Sequence, residues 1–339
     1  MKQFIIDDKE AGRRLDQYLH KLLPEAGTSF VYKMLRKKNI TVNKKKASGN
    51  ERLNAGDSIE IFFSEETFNK LSGGNISNSI ETHISTKEYE TAFKVLDGID
   101  IVYEDQDFIF VNKPAGVLSQ KAEPTDVSLN EWLVGYLLNK GELTEELLKT
   151  FKPGFCNRLD RNTRGLVIGG KSLNALRALS AGLKDRTIHK FYYTEAVGSP
   201  DASFPITSEN FWTTEAVLFK DKKANQVYVF ADETDAIKLS AKKNGVKSNK
   251  LEHIMTGFRL IEQKEGYMCV EVELHTGKSH QIRAHLAYLG HPIMGDPKYG
   301  DIAVINDTNI HSYQELKAYK VVFPEIAEFP NISMKEFIC

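Results

Sequence analysis

The chemistry in this chain starts from one carboxylate set among cations: Asp160 in Asn157-Arg158-Leu159-Asp160-Arg161-Asn162-Thr163-Arg164-Gly165-Leu166, just ahead of an apolar run. Arg158 and Arg161 keep such a carboxyl ionised even where water is partly excluded, and an ionised carboxylate is a nucleophile or a base. Taken alone, an Asp in such a loop is better explained as a structural turn residue. A second segment, Thr276-Gly277-Lys278-Ser279-His280-Gln281-Ile282-Arg283-Ala284-His285-Leu286, follows an alternating strand pattern. Here Ser279 is placed to cap a helix whose apolar face is Ile282, Leu286 and Leu289 and whose stop is Gly290. Arg283 then falls near the first turn, where the helix dipole disfavours a cation, which implies a carboxylate or phosphate partner elsewhere. A solvated arginine fits the same pattern. In Lys190-Phe191-Tyr192-Tyr193-Thr194, strand geometry sends Phe191 and Tyr192 to opposite sides. One of them can therefore line a cleft while the other packs, and a tyrosine in that place offers a ring to stack on and a hydroxyl to exchange a proton; taken alone, the segment is better read as an ordinary aromatic strand.

A metal site is rejected. His280 and His285 are five residues apart, which on a helix separates them by about 140° rather than aligning them on one face, and no acidic general base stands at a defined offset from them. His285 is read as a packed or hydrogen-bonded core histidine.

These groups need elements to hold them. Leu15, Tyr18, Leu19 and Leu22 fall at helical spacing, and Val31, Met34 and Leu35 resume it after a Gly27-Thr28-Ser29 break. On that second helix Lys33, Arg36 and Lys37 lie opposite the apolar stripe, so burying the stripe presents a basic face. Ile40 and Val42, then Ile59, Ile61 and Phe63 after the Asn54-Ala55-Gly56-Asp57 turn, alternate as short strands. Residues 65–95 are polar and without a sustained period, a linker in this reading. Strands are expected at Ile101–Asp105, Phe108–Val111, Gly165–Gly170, His189–Gly198 and Tyr267–Leu274. Ser128-Leu129-Asn130-Glu131 is a capping box for a helix buried through Leu129, Trp132, Leu133, Tyr136 and Leu137, and Ser172 caps another through Leu176, Leu179 and Leu183. Residues 199–250 read as irregular. Helices and strands intermix without a regular parallel beat, so the fold class expected is α+β, with a mixed, largely antiparallel sheet, flanking helices and a small N-terminal α/β domain. The division is 1–64 for a small N-terminal domain, 65–95 for the linker and 96–339 for a second, larger domain.

Composition sets the bounds. With 339 residues, 41% of them hydrophobic, the chain is long enough for two domains. The net charge of −1 excludes a global positive field, so any nucleic acid must be held by local patches such as Lys33 to Arg52, where eight cations face the single acid Glu51. Three widely spaced cysteines suggest neither disulfides nor a cysteine metal site. No apolar run approaches the roughly 20 residues that span a bilayer, and the start of the chain lacks signal-peptide character, so a cytoplasmic protein is expected.

The segments VYEDQDFIFVNKPAGVLS, NRLDRNTRGLVIGGKS, HKFYYTEAVG, VELHTGKSHQIRAHLAYLGHPIMGDPKYG and AYKVVFP, in that order over residues 101–325, resemble the RluA-like family of RNA pseudouridine synthases. Residues 10–63, through RLDQYL, LRKKNITVN and RLNAGDSIEIF, resemble the small RNA-binding domain named after ribosomal protein S four. The resemblance implies that Asp160 is the catalytic aspartate, Tyr192 the tyrosine against a flipped base and Arg283 the arginine paired with Asp160. It implies a uridine-to-pseudouridine isomerase with no cofactor and no metal. Its partner would be RNA, ribosomal RNA foremost and transfer RNA second, with neither a membrane nor an obligate protein partner. Lys33, Arg36, Lys37, Arg158, Arg161, Arg164, Lys190 and Lys278 are the expected RNA contacts. Asp160 would assist glycosidic cleavage by attack on the sugar, by attack on the ring, or by removing a sugar proton.

Three positions depart from the family pattern. Asn157 stands where His is common, Arg164 where Ser is common, and Lys278 where Arg is common. Arg164 is the larger change, expected to touch phosphate or to crowd the loop, and it supports the alternative of a catalytically silent RNA-binding or ribosome-assembly factor.

Overall fold

A computed structural model describes residues 1–73, 86–221, 223–244, 251–300 and 313–339, with Ser240 and residues 242–244 described as backbone only. The N-terminal sequence folds around its own core. Strands β1 (Lys2–Ile5), β2 (Ile40–Val42), β3 (Lys45–Lys46) and β4 (Ser58–Ile61) form a sheet in the order β1-β4-β2-β3. Helices α1 (Leu15–Leu22) and α2 (Thr28–Arg36) bury Leu15, Leu19, Val31 and Leu35 against it. The Gly27-Thr28-Ser29 break is the start of α2 itself, with Gly27 as its extended N-cap.

The segment expected to be a linker contains two helices, α3 (Glu65–Leu71) and α4 (Lys87–Val95), while residues 74–85 lie outside the described residues. Phe68 of α3 joins the small core. Tyr89 and Ala92 of α4 are buried against α5 (Leu129–Lys140). The two helices approach so closely that a Cβ on Gly135 would sit 2.1 Å from the Tyr89 carbonyl oxygen. That contact explains why α5 is buried on nearly all sides, Val134 included, rather than on the single face expected. The capping box also differs: Ser128 is the N-cap, but its hydroxyl donates to the Glu131 carboxylate instead of receiving a backbone N–H.

The remaining elements are β5 (Asp100–Glu104), β6 (Phe108–Lys113), α6 (Glu145–Leu148), β7 (Gly154–Phe155), β8 (Arg164–Gly170), α7 (Leu173–Lys184), β9 (His189–Val197), β10 (Trp212–Asp221), β11 (Gln226–Phe230), α8 (Glu233–Asn244), β12 (Glu252–Gln263), β13 (Tyr267–Leu274), α9 (Gln281–Tyr288), β14 (Leu316–Val322) and β15 (Glu336–Ile338). They build an eleven-stranded sheet along the path β11-β10-β12-β13-β9-β14-β8-β6-β5, with β15 beside β14 and β7 beside β8. Its described pairings are antiparallel except β14 with β8, so the α+β class with a mixed, largely antiparallel sheet holds.

The continuous apolar run of β6 follows from burial on both faces. Ile109 and Val111 enter the core shared with α5 and α9, whereas Phe108 and Phe110 enter a second core with Leu179 of α7 and Phe323. Ser172 caps α7 as expected, accepting from the Ala175 N–H at 3.2 Å.

Of the segment 199–250, expected to be irregular, the described residues from Trp212 onward are instead β10, β11 and α8 with short turns between them. The apolar stretch Ala216-Val217-Leu218-Phe219 and the Val227/Val229 alternation mark two of these strands.

At the sheet centre Ala318 of β14 pairs with Gly165 of β8 on one side and with Tyr192 of β9 on the other. Gly165 has φ +120, and a Cβ there would lie 2.2 Å from the Ala318 carbonyl oxygen, so glycine alone lets the strands meet.

Candidate active site

The Asp160 loop is held from its backbone outward. Asn157 splices it to β8 by accepting from Ile168 N at 2.8 Å and donating to Leu166 O at 3.2 Å, the work of a missing strand residue. Ser119 brackets Leu159, donating to its carbonyl at 2.9 Å and accepting from its N–H at 3.0 Å. On the other side, the Arg161 carbonyl receives Gly116 N at 2.9 Å and Lys113 Nζ at 3.0 Å. Lys113 is fully buried and also donates to the carbonyls of Pro114 at 2.9 Å and Val117 at 2.8 Å. Burial lowers this ammonium to about 7 against the upward pull of the Asp160 charge. Its three acceptors match the three N–H groups of the charged form. Asp160 is thus fixed through both neighbours, which is how a reactive group is kept in register with a substrate.

Arg283 supplies the charge partner that its place near a helix start implied. Its Nη1 donates to Asp160 Oδ2 at 3.0 Å, while Nε and Nη2 grip Asp296 Oδ2 and Oδ1 at 2.8 and 2.9 Å. Asp296 is fully buried, and burial raises its pKa, but hydrogen bonds and charge from Arg283, helped by the amides of Lys298 and Tyr299, leave it below the usual value. The buried Arg283 is likewise favoured as a cation, its two carboxylate partners outweighing desolvation. One guanidinium therefore anchors on Asp296 and orients Asp160, and among the described residues Asp160 Oδ1 accepts no hydrogen bond.

These groups open onto a cleft of about 410 Å3 lined by Asp160, Tyr192, His280 and Arg283, with Arg158, Lys190 and Lys278 also in its wall. Tyr192 is buried, and burial, then the Asp160 charge, push its phenol pKa up, so it stays a neutral phenol. Lys190 is lowered by burial and by Arg186 nearby.

Not every expected contact is in this wall. Arg164 is exposed, paired with Glu315 at 2.7 Å, and outside the cleft lining, while Arg161 Nε is tied to Gly116 O at 3.0 Å. Lys278 lines the cleft while bridging to Glu252 at 2.9 Å. Lys33, Arg36 and Lys37 are exposed at the end of α2 in the small domain.

The α9 start differs from the expected Ser279 cap. His280 is the N-cap in a left-handed conformation, φ 52, and Ser279 instead accepts from Lys220 Nζ at 3.0 Å. Gln281 takes over locally, its carboxamide oxygen accepting from Thr276 Oγ1 at 2.9 Å and Lys278 N at 3.1 Å. The histidines scatter: His280 faces Asp160, His285 Nδ1 meets Thr256 Oγ1 at 3.1 Å, and His291 Nδ1 meets Val197 O at 3.0 Å.

His285 yields a pH prediction. Burial lowers its pKa from 6.5 to about 4. The folded value lies below the unfolded one, so protons bind the unfolded chain first. Stability is whole above pH 6.5 and falls as pH drops to 4, by about 3 kcal/mol in all. Urea unfolding at pH 7 and pH 5 checks it: His285→Gln should show a shallower pH loss than wild type, and an equal loss would assign the acid sensitivity elsewhere.

Sequence reasoning did not single out Lys113, Ser119, Asp296 or Tyr299. A lysine ending the apolar run 108–111, and an aspartate after Gly295, were the available signals.

The chain is similar to known proteins in sequence and in fold. The profile of a family described as RNA pseudouridylate synthase matches residues 107–288. An uncharacterized RNA pseudouridine synthase of Mycoplasma genitalium is 28% identical over 99% of this chain and 94% of its own length. A ribosomal large subunit pseudouridine synthase C of Vibrio cholerae is 30% identical over 88% of this chain and 81% of its own length. In fold, the chain is similar to human RNA pseudouridylate synthase domain containing 4, with TM-score 0.51 and 16% identity over 74% of this chain and 92% of that one.

Proposed function

Because this chain belongs to the RNA pseudouridylate synthase family and is an RNA pseudouridine synthase, we propose that it isomerises specific uridines of ribosomal RNA with Asp160 as the reacting carboxylate and without a cofactor. The observation that carries this reading is the Asp160 carboxylate held at Oδ2 by Arg283 in a cleft that also holds the buried Tyr192. The ribosomal target is supported by the names of relatives, the synthase C of Vibrio cholerae among them.

The target uridine leaves its stack at a cost of a few kcal/mol, least in loops and bulges. Asp160 assists breakage of the bond between ring nitrogen 1 and the sugar. The freed uracil turns within the cleft, carbon 5 bonds to the sugar and loses its proton, and nitrogen 1 ends protonated. The atoms of product and substrate are the same, so neither an oxidant nor a group donor is consumed. Tyr192 stacks on the base and offers its hydroxyl, while the walls retain the free uracil and exclude water. Arg158, Lys190 and Lys278 contact the flanking backbone at the cleft, Arg161 and Arg164 beside it, and the small N-terminal domain holds RNA at a distance. The work is assigned to the cytoplasm.

Unmodified ribosomal and transfer RNA incubated with the protein and mapped for pseudouridine at single-nucleotide resolution tests the proposal. One or a few converted uridines in ribosomal RNA is the expected result. Conversion confined to transfer RNA would overturn the target, and conversion in neither pool would overturn the activity of this chain on both.

The basic helix is tested separately. Lys33, Arg36 and Lys37 changed together to Ala should weaken RNA binding and flatten the slope of log affinity against log salt by about 2 units. An unchanged slope would place the principal phosphate contacts elsewhere.

A further inference from the structure

We infer that His280 is a positioning residue for Asp160: Tyr299 fixes its imidazole in the tautomer protonated at Nε2, and that N–H is aimed at Asp160 Oδ2, leaving Oδ1 to react. The inference rests on the reading of Asp160 as the reacting carboxylate.

A three-part chain carries it. The Val227 N–H of β11 donates to the Tyr299 hydroxyl at 3.0 Å, and that hydroxyl lies 2.9 Å from His280 Nδ1. A phenol has one hydrogen to give. With a lone pair already taken by Val227, the arrangement that satisfies all three groups has Tyr299 donating to an unprotonated Nδ1, which places the imidazole hydrogen on Nε2. Nε2 is at the far end of the ring and stands 3.9 Å from Asp160 Oδ2. That gap is longer than a hydrogen bond and shrinks to one with a small shift, as such contacts do when a substrate is seated.

The backbone supports the same aim. His280 adopts a left-handed conformation, uncommon for a residue with a side chain, and its side chain is only 13% exposed. The ring is also packed edge-on to Tyr299, with centroids 5.7 Å apart.

The surroundings keep the ring neutral. Burial lowers its pKa; Asp160 pulls it upward, and Arg283 of its own helix, Lys298 beyond that helix and Lys220 of β10 push it down. Once the gap closes, a neutral N–H gives the carboxylate a second hydrogen bond without a second full positive charge, so orientation is gained and nucleophilicity is kept. Two strands that the sequence left as irregular thus reach the site, β10 through Lys220 and β11 through Val227.

Long-range proton–nitrogen correlation of the histidine rings is the first readout, because it needs no turnover. Wild type should show His280 protonated at Nε2 alone through neutral pH, and Tyr299→Phe should give a mixture. Turnover is the second readout. His280→Ala should lower kcat about tenfold with KM little changed, the effect of one lost hydrogen bond. His280→Gln, whose amide hydrogens reach the Nε2 position, should restore most of it. Tyr299→Phe combined with His280→Ala should fall no lower than His280→Ala, since the tyrosine acts through the histidine. Thermal melts of each variant separate a folding defect from a kinetic one. A ring protonated at Nδ1, full kcat in His280→Ala, or additive losses would overturn the inference. Asp160→Asn separates the two levels: if it retains turnover the reading of Asp160 fails, whereas if it is inactive while His280→Ala is unaffected, only the role of His280 fails.

Discussion

Asp160→Asn is expected to lose pseudouridine formation by on the order of 10^4-fold while still binding RNA, the scale seen when a reacting group is removed from an intact site. The substitution is nearly isosteric. The amide oxygen can still accept from Arg283, whose other two contacts, to Asp296, are untouched. What disappears is the negative charge proposed to attack or to abstract the proton. RNA binding should hold or tighten, because one anion is removed from a cleft that must admit phosphates. The measurement is single-turnover conversion alongside filter binding and a thermal melt. Turnover within tenfold of wild type would remove Asp160 from the chemistry.

Arg283→Met should damage both stability and activity. The side chain bridges two carboxylates, one of them fully buried, and its removal leaves Asp296 without its cation. Breaking such a pair from one side costs about 3–5 kcal/mol. Arg283→Lys should also fail in turnover, because a point charge cannot reproduce a fork that holds Asp296 with two arms and Asp160 with a third. The double variant Arg283→Met/Asp296→Asn discriminates the two roles. It should regain part of the lost stability in urea unfolding, since no uncompensated charge stays buried, and regain none of the turnover. Recovery of turnover in the double variant would mean that Arg283 serves only to neutralise Asp296.

The sequence carried the site further than it carried the fold around it. Asp160 stood out as a carboxylate among cations, Tyr192 as an aromatic in a strand and Arg283 as a cation near a helix start; the family resemblance singled out the three together, and they line one cleft. A cation near a helix start needs a partner, and the sequence left that partner as a carboxylate or a phosphate; Arg283 meets two carboxylates. Asp296 escaped because a buried aspartate in a loop looks like any turn residue until its arginine is placed beside it. Lys113 escaped because its acceptors are backbone carbonyls, which carry no mark in a sequence. The α4 helix was missed although Tyr89, Ala92, Phe93 and Leu96 recur at helical spacing, since the polar stretch before it set the reading for the whole segment. β10 and β11 were hidden by the charged turns around them. The Ser279 cap failed for a local reason: Gln281 satisfies the neighbouring groups, so the chain enters the helix through His280.

The place of β14 in the sheet bears on how the enzyme is made. Among the described strands it alone joins two halves, one of β5, β6, β7 and β8 after the Asp160 loop, the other of β9 to β13 with Tyr192 and the approach to Arg283. In sequence it comes after both. A ribosome translating this chain therefore makes Asp160, Tyr192 and Arg283 before the strand that aligns the two halves. Each half can pair its own hairpins as it emerges, but Gly165 and Tyr192 have no common neighbour until Ala318 has been synthesised. Until then the nascent polypeptide carries Asp160, Tyr192 and Arg283 without the strand that sets them side by side, so the cleft is assembled in one step by β14 rather than built up strand by strand.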